Sequence, residues 1–396
     1  MRAKTARCTG DPFAAGGSLM RRRDFLAGVA TAGAGALFGV GLSAQQRGRG
    51  GRGGRGNAQQ RPIPSDIKNT RGIDVHHHYA PPGWLKVLAD HKALNVEPWM
   101  GWTPAKAIES MDRAGVQTSY SSITVPGIYF AEGFGNQQAP PGAKFKNDVV
   151  ALAREANEFG AKMKADYPGR FGIWASLPLP DVDASLREIE YAFDKLKLDG
   201  IGLITSIGTK YMGDKTFTPV FEELNRRNAI VYTHPGAGPC CLYALPGVGP
   251  TMLEYSHDTA RTIVSWVNSG SAERFSNVKW IFSHGGGSIW SARYIGGEIG
   301  TDPKAFAGRT QQPRLLSFLR KFYYDTAASS NFLQMENLKT LVGTSQIVLG
   351  SDHPYGDPLT YILDVRELQA SGVFTAQERQ AIERENATRL LASVRT

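Results

Sequence analysis

Eight short runs rich in β-branched and aromatic residues recur between residues 72 and 352, and a helix-like stretch follows each of them. The runs cover 72–79, 118–125, 171–177, 200–206, 229–234, 278–284, 322–327 and 346–352. A parallel neighbour is reached only by a crossover connection, so regular strand–helix alternation calls for a parallel sheet. Eight such units predict a (β/α)8 TIM barrel, with two C-terminal helices (357–369 and 376–393) closing it.

The intervening segments carry helix signals of their own. Thr103-Pro104 reads as an N-cap followed by proline in the first turn, and Gly115 ends that helix. Thr218-Pro219 repeats the start signal. Asn147 is placed to cap a long helix running to about Ala165, and Leu186, Ile189, Phe193 and Leu196 form a helical stripe after Asp181. No internal repeat and no second folded domain is visible.

Charge is distributed unevenly. The chain of 396 residues has a formal charge of +9, but residues 1–71 hold 13 Lys+Arg against 3 Asp+Glu, and the remainder nets −1. A neutral body argues against nucleic acid as the partner. The basic part has its own logic: Arg22, Arg23, Phe25 and Leu26 precede a Gly/Ala-rich apolar run and then Ser43-Ala44. That pattern is similar to a twin-arginine export signal, giving a signal region at 1–44, a Gly/Arg-rich linker at 45–70 and the barrel at 71–396. The expected location is periplasmic or extracellular, with no stable membrane insertion once the signal is removed. Apart from Cys8 the only cysteines are the neighbours Cys240 and Cys241, which cannot staple distant elements. They read as small buried residues, with a vicinal disulfide as the alternative.

The reactive residues gather at strand ends. In Ile73-Asp74-Val75-His76-His77-His78, strand alternation places His76 and His78 on one face and His77 on the other. His234 ends the fifth run, His284 the sixth and Asp352 the eighth. These are the carboxyl ends, where such barrels build their sites. His-X-His with a further histidine and a carboxylate gives three nitrogens and an oxygen, a donor set that suits Zn²⁺ or another borderline divalent cation with one position open. His77 and His353 point away from that site, His91 reads as surface, and His257 opens a helix facing solvent.

The stretches DVHHHYAP, SMDRAGVQTSYSSITVPG, FEELNRRNAIVYTHP, IFSHGGGS, FYYDTAAS and LGSDHP together resemble the amidohydrolase superfamily, in its aminocarboxymuconate-semialdehyde decarboxylase branch. The resemblance implies one catalytic divalent metal, zinc in most members and manganese in some. It implies His76, His78, His234 and Asp352 as ligands, with His284 and Asp352 handling protons. Two-metal relatives carry a bridging Lys or Glu on an inner strand, commonly the fourth; residues 200–206 contain neither. The implied activity is loss of CO2 from an aromatic or unsaturated carboxylic acid. Metal-dependent hydrolysis of a lactone, amide or ester is the alternative on the same site, and metal binding without turnover is a further one.

Tyr79, Trp99, Trp102, Trp290 and Tyr355 are candidates to stack on a planar substrate, with Arg293 as a candidate counter-charge. Relatives taking dicarboxylic substrates carry an arginine before the SMDRAGV-type helix. Residues 94–102 have none, which favours a less charged aromatic acid of hydroxybenzoate or salicylate type. The resemblance further implies a homodimer or homotetramer.

Overall fold

The computed structural model describes residues 71–90, 99, 101–129, 149–238, 240–241, 245–291, 312–355 and 367–393. The signal region, the linker, Asn147, His91, Arg293 and most of the helix expected at 357–369 lie outside the described residues.

Eight parallel strands stand in sequence order: β1 (Gly72–His78), β2 (Val116–Ser122), β3 (Phe171–Ala175), β4 (Gly200–Ile204), β5 (Ile230–His234), β6 (Lys279–Phe282), β7 (Tyr323–Asp325) and β8 (Ile347–Val348). Val75 donates its N–H to Leu349 O at 2.9 Å, and a bridge between His77 and His353 brings the end of the eighth strand back to the first. The expected TIM barrel is the architecture observed. Most strands stop one to four residues short of the apolar runs, so His284 and Asp352 lie just beyond β6 and β8 rather than in them.

The layer outside the sheet is α1 (Pro82–Asp90), α2 (Pro104–Ala114), α3 (Val149–Asp166), α4 (Val182–Glu190), α5 (Thr218–Arg226), α6 (Glu254–Asn268), α7 (Gln312–Leu319), α8 (Phe332–Val342) and, after a capped turn at Ala376–Gln380, α9 (Asn386–Ala392). Thr103 caps α2 by accepting from Lys106 N, and Gly115 ends it at φ 73°, a left-handed conformation that glycine adopts without strain. Thr218 departs from expectation. Asp214 caps a short 3-10 turn at Lys215–Phe217, which feeds directly into α5, so Thr218 is already the first helical residue.

Two apolar cores result. Helix faces pack on the outside of the sheet through residues such as Trp84, Met111, Phe221, Trp266 and Trp280. The barrel interior is filled by Ile73, Val75, Tyr120, Trp174, Ile230, Tyr232, Ile281 and Val348, and closed at the amino-terminal end by Leu390 and Leu391 of α9. Trp174 stacks on Tyr120 and donates its indole N–H to Val75 O at 2.9 Å, so the largest side chain of this plug has its one polar atom satisfied.

β1 is irregular where it matters. Asp74 pairs with Ser119 and His77 with Ser121, so Val75 and His76 together oppose Tyr120. This β-bulge re-aims one side chain. Val75 stays in the interior plug, while His76 still turns towards the carboxyl-end rim with His78.

Candidate metal centre

Five side chains meet at that rim. Asp352 Oδ1 lies 2.9 Å from His78 Nε2, 3.0 Å from His76 Nε2 and 3.5 Å from His234 Nε2, and its Oδ2 lies 4.0 Å from His284 Nε2. Ligand atoms of His76, His234, His284 and Asp352 fall within 4.8 Å of one another, close enough to share one cation. The four imidazoles pack edge to face, with His76 within 5.2 Å of each of the other three.

Each imidazole is turned by an acceptor at its other nitrogen. His76 Nδ1 lies 2.9 Å from Asp325 Oδ2, His78 Nδ1 3.3 Å from Ser122 O, His234 Nδ1 2.9 Å from Pro235 O and His284 Nδ1 2.8 Å from Ala327 O. A carbonyl or carboxylate can only accept, so Nδ1 carries the proton and Nε2 faces the centre. The Nε2 atoms of His76, His234 and His284 are buried with no hydrogen-bond partner among the described residues. Orphaned buried nitrogens are costly unless something satisfies them; a cation would do so for His76 and His234, and a substrate or a transferable proton for His284. The donor set therefore fits a divalent metal.

The electrostatics agree. Burial pushes the His78 and His234 imidazoles down, to about 3 and about 4, which keeps them in the neutral form that binds metal. Burial opposes charge on His76 as well, but the carboxylates of Asp325 and Asp352 on either side of it raise it to about 10. Burial would likewise raise Asp352, yet positive charge on His76, together with the His234 and His78 imidazoles around it, holds its carboxyl well below the usual carboxylate range. The buried Asp325 and part-buried Asp352 carboxylates on either side of His76 make the pocket demand positive charge.

Backbone geometry pins the two residues beyond the strands. His284 has φ 52° and Asp352 φ 61°, a strained region for residues with side chains. Each is held by its own N–H: His284 donates to Asp325 Oδ1 at 2.9 Å, and Asp352 to His76 O at 2.8 Å. Of the glycines after His284, Gly287 allows close approach, since a Cβ there would stand 2.1 Å from Ser256 O.

His76, His78, His234, His284 and Asp352 are thus all brought together. His77 points outward, bonded to Asp74 at 3.1 Å and stacked on His353, as expected. His257 is half-buried and bonded to Ser288 Oγ at 2.8 Å, away from the cluster. Tyr355 reaches the site, its ring 5.9 Å from that of His78, and Trp99 and then Trp102 continue the aromatic chain outward at 6.0 Å each. One wall candidate is corrected. Tyr79 is buried against α3, stacked on Phe159 and donating to Ala156 O, because it follows His78 on the outward face of the sheet. Trp290 is 39% exposed, on a surface turn at Ile289–Ser291. Cys240 and Cys241 are likewise not small buried residues: they form a vicinal disulfide on a loop, with Cys240 exposed. Asp325, inside the FYYDTAAS stretch, was not singled out from the sequence, although it touches both His76 and His284.

A slot opens on the same rim, lined by Ile123, Ile128, Leu177, Leu179 and Ile204 together with Ser176. Ile204 pairs in register with His234, and Ile123 follows the residue that pairs with His78.

These features define a class. A family model described as Amidohydrolase matches residues 73–392, and the chain belongs to that family. Its relatives narrow the description. It is 34% identical over 337 residues to the decarboxylase yanB of Aspergillus niger, covering 80% of this chain and 86% of that one. It is 31% identical to the 6-methylsalicylic acid decarboxylase of Penicillium expansum, covering 71% and 84%. The solved structure of a dihydroxybenzoic acid decarboxylase from Polaromonas sp. JS666, with bound manganese and an inhibitor, shares the fold at a TM-score of 0.66 and 20% identity, covering 82% and 98%.

Proposed function

We propose that the protein is a metal-dependent, non-oxidative decarboxylase acting on a hydroxylated aromatic acid of salicylate or hydroxybenzoate type. The observation that carries this reading is the convergence of four Nε2 atoms and the Asp352 carboxylate at the carboxyl-end rim, in a chain whose relatives include named aromatic-acid decarboxylases. His76, His78, His234 and Asp352 would hold the cation. Zinc suits three imidazoles and a carboxylate, and manganese, held by a related decarboxylase, is the alternative. When bound, the cation supplies a Lewis acid that draws off negative charge and fixes the substrate carboxylate and an adjacent oxygen.

The chain's own residues supply the rest. The slot on the same rim has no Asp, Glu, Lys, Arg or His among its described lining, with Tyr129, Ser176 and Ser206 adding only hydroxyls, so it favours an uncharged, alkyl-type substituent on the ring. Tyr355 brings an aromatic edge to His78, backed by Trp99 and Trp102 packed edge to face behind it. Decarboxylation replaces CO2 on a ring carbon by a proton: the carbon is protonated, the C–C bond breaks, and its electron pair restores the aromatic ring. The proton is held at His284 Nε2, whose Nδ1 is committed to Ala327, and reaches the ring through Asp352 Oδ2, 4.0 Å away.

Export through a twin-arginine-type signal at 1–44, with 45–70 as a spacer, is part of the proposal and is supported by Arg22-Arg23-Asp24-Phe25-Leu26. Recovery of the processed chain from the periplasm of an expressing cell tests it, and full-length chain confined to the cytoplasm would contradict it. The activity is tested by incubating metal-loaded enzyme with hydroxybenzoates and, separately, with lactones. CO2 release with the matching phenol is expected. Lactone hydrolysis without CO2 release would replace this reading with the hydrolase one.

A further inference from the structure

Asp325 ends β7, is fully buried, and spends both carboxylate oxygens on the site. Oδ2 accepts from His76 Nδ1 at 2.9 Å. Oδ1 accepts from two backbone N–H groups, those of His284 at 2.9 Å and Ala327 at 3.0 Å. Ala327 in turn offers its carbonyl to His284 Nδ1 at 2.8 Å. One side chain therefore stands behind a metal-ligand histidine and behind the proton-handling histidine, 249 and 41 residues away in sequence.

We infer that Asp325 is a positioning residue that couples these two histidines. Its Oδ2 fixes His76 as the Nδ1–H tautomer with a bare Nε2 aimed at the cation, while its Oδ1 holds the strained backbone of His284 and the carbonyl that turns the His284 ring. The two jobs need one rigid carboxylate between β1 and β6, which is where β7 places it. A histidine without this partner divides between two tautomers and two ring orientations, only one of which presents Nε2 unprotonated. Ser122, Pro235 and Ala327 do the same for the other imidazoles with neutral oxygens. Asp325 alone among the four acceptors carries a formal charge, so it is the one that also raises the basicity of its ligand.

The inference rests on the metal-site reading, and Asp325→Asn separates the two. Asparagine keeps an oxygen for the His284 and Ala327 N–H groups but presents an N–H₂ to His76, which drives that ring to the Nε2–H tautomer. The experiment is chelator competition for Zn²⁺ and Mn²⁺ on metal-free enzyme, with the melting temperature of the same sample as a check on folding. Wild type should bind one equivalent, and Asp325→Asn should bind about 10–100-fold more weakly at an unchanged metal-free melting temperature. Wild-type affinity in the variant would overturn the inference, whereas failure of wild type to bind any metal would overturn the site reading itself. Should the variant not fold, ¹⁵N-histidine spectra of the wild-type protein decide: a His76 Nδ1–H is expected, and a His76 protonated only at Nε2 would overturn the role.

Discussion

The two ends of the barrel use the same strands for opposite purposes. At the amino-terminal end, Ile73, Val75, Tyr120, Trp174 and Ile230 interdigitate over Leu390 and Leu391, and the Trp174 indole is satisfied. At the carboxyl end, three of the four histidine Nε2 atoms lack hydrogen-bond partners among the described residues, and the buried Asp325 and part-buried Asp352 carboxylates bracket a single imidazole. The contrast teaches that stability and chemistry are separated along the barrel axis, about one strand length apart. The rim gathers imidazole nitrogens and a carboxylate that a cation would satisfy. Asp352 shows the join between them: its backbone leans on His76, while its carboxylate belongs to the rim.

Substitutions can break this contrast in either direction. The largest effect is expected from Asp352→Asn, which should lower CO2 release by about 10³-fold or more while leaving the melting temperature of the metal-free protein unchanged or higher. A variant with near-normal turnover would remove Asp352 from the mechanism. Trp174→Ala should act the opposite way. It empties the middle of the plug and should cost roughly 3–5 kcal/mol in denaturant unfolding, with the metal affinity of the folded fraction retained. Equal losses of stability and metal affinity would mean that the two ends are not separable.

Smaller changes sharpen the picture at the margins. Ile204→Ala widens the slot next to His234 and should reduce kcat/KM for an alkyl-substituted hydroxybenzoate by roughly tenfold, with a lesser effect on the unsubstituted acid. An equal loss for both acids would place the slot outside substrate contact. Glu378 tests the outer margin of the amino-terminal end, away from the metal-site rim. The Thr375 backbone N–H, Lys339 and Thr344 hold its carboxyl down, at about 2. A depressed folded-state value stabilises the protein above the ordinary glutamate range and loses that contribution as pH falls through it towards 2. Glu378→Gln should therefore flatten the acid limb of a stability–pH curve slightly, with no change in activity per folded molecule at neutral pH.

Much of this was legible in the sequence, for physical reasons. Strand order follows from alternation, and the ligand set follows from where histidines fall relative to apolar runs. His76 and His78 needed only the two-residue strand period. The bulge at Val75–His76 did not announce itself, because two apolar-side residues in succession can be read as a strand in either register. Asp325 was hidden for a different reason: its partners are brought near only by barrel closure, and a carboxylate that acts through a histidine carries no spacing signal. Tyr79 shows that an aromatic residue next to a site in sequence does not have to face it. Thr218 shows that an N-cap motif yields when an upstream residue, Asp214, starts the turn first.

The most direct test of the central claim is X-ray absorption at the metal edge of enzyme reconstituted with one equivalent of zinc. Three imidazole nitrogens at about 2.0–2.1 Å with one carboxylate oxygen are predicted, the nitrogens falling by one in His76→Ala. A metal that does not bind at one equivalent, or a ligand shell that the His76→Ala change leaves untouched, would contradict the account.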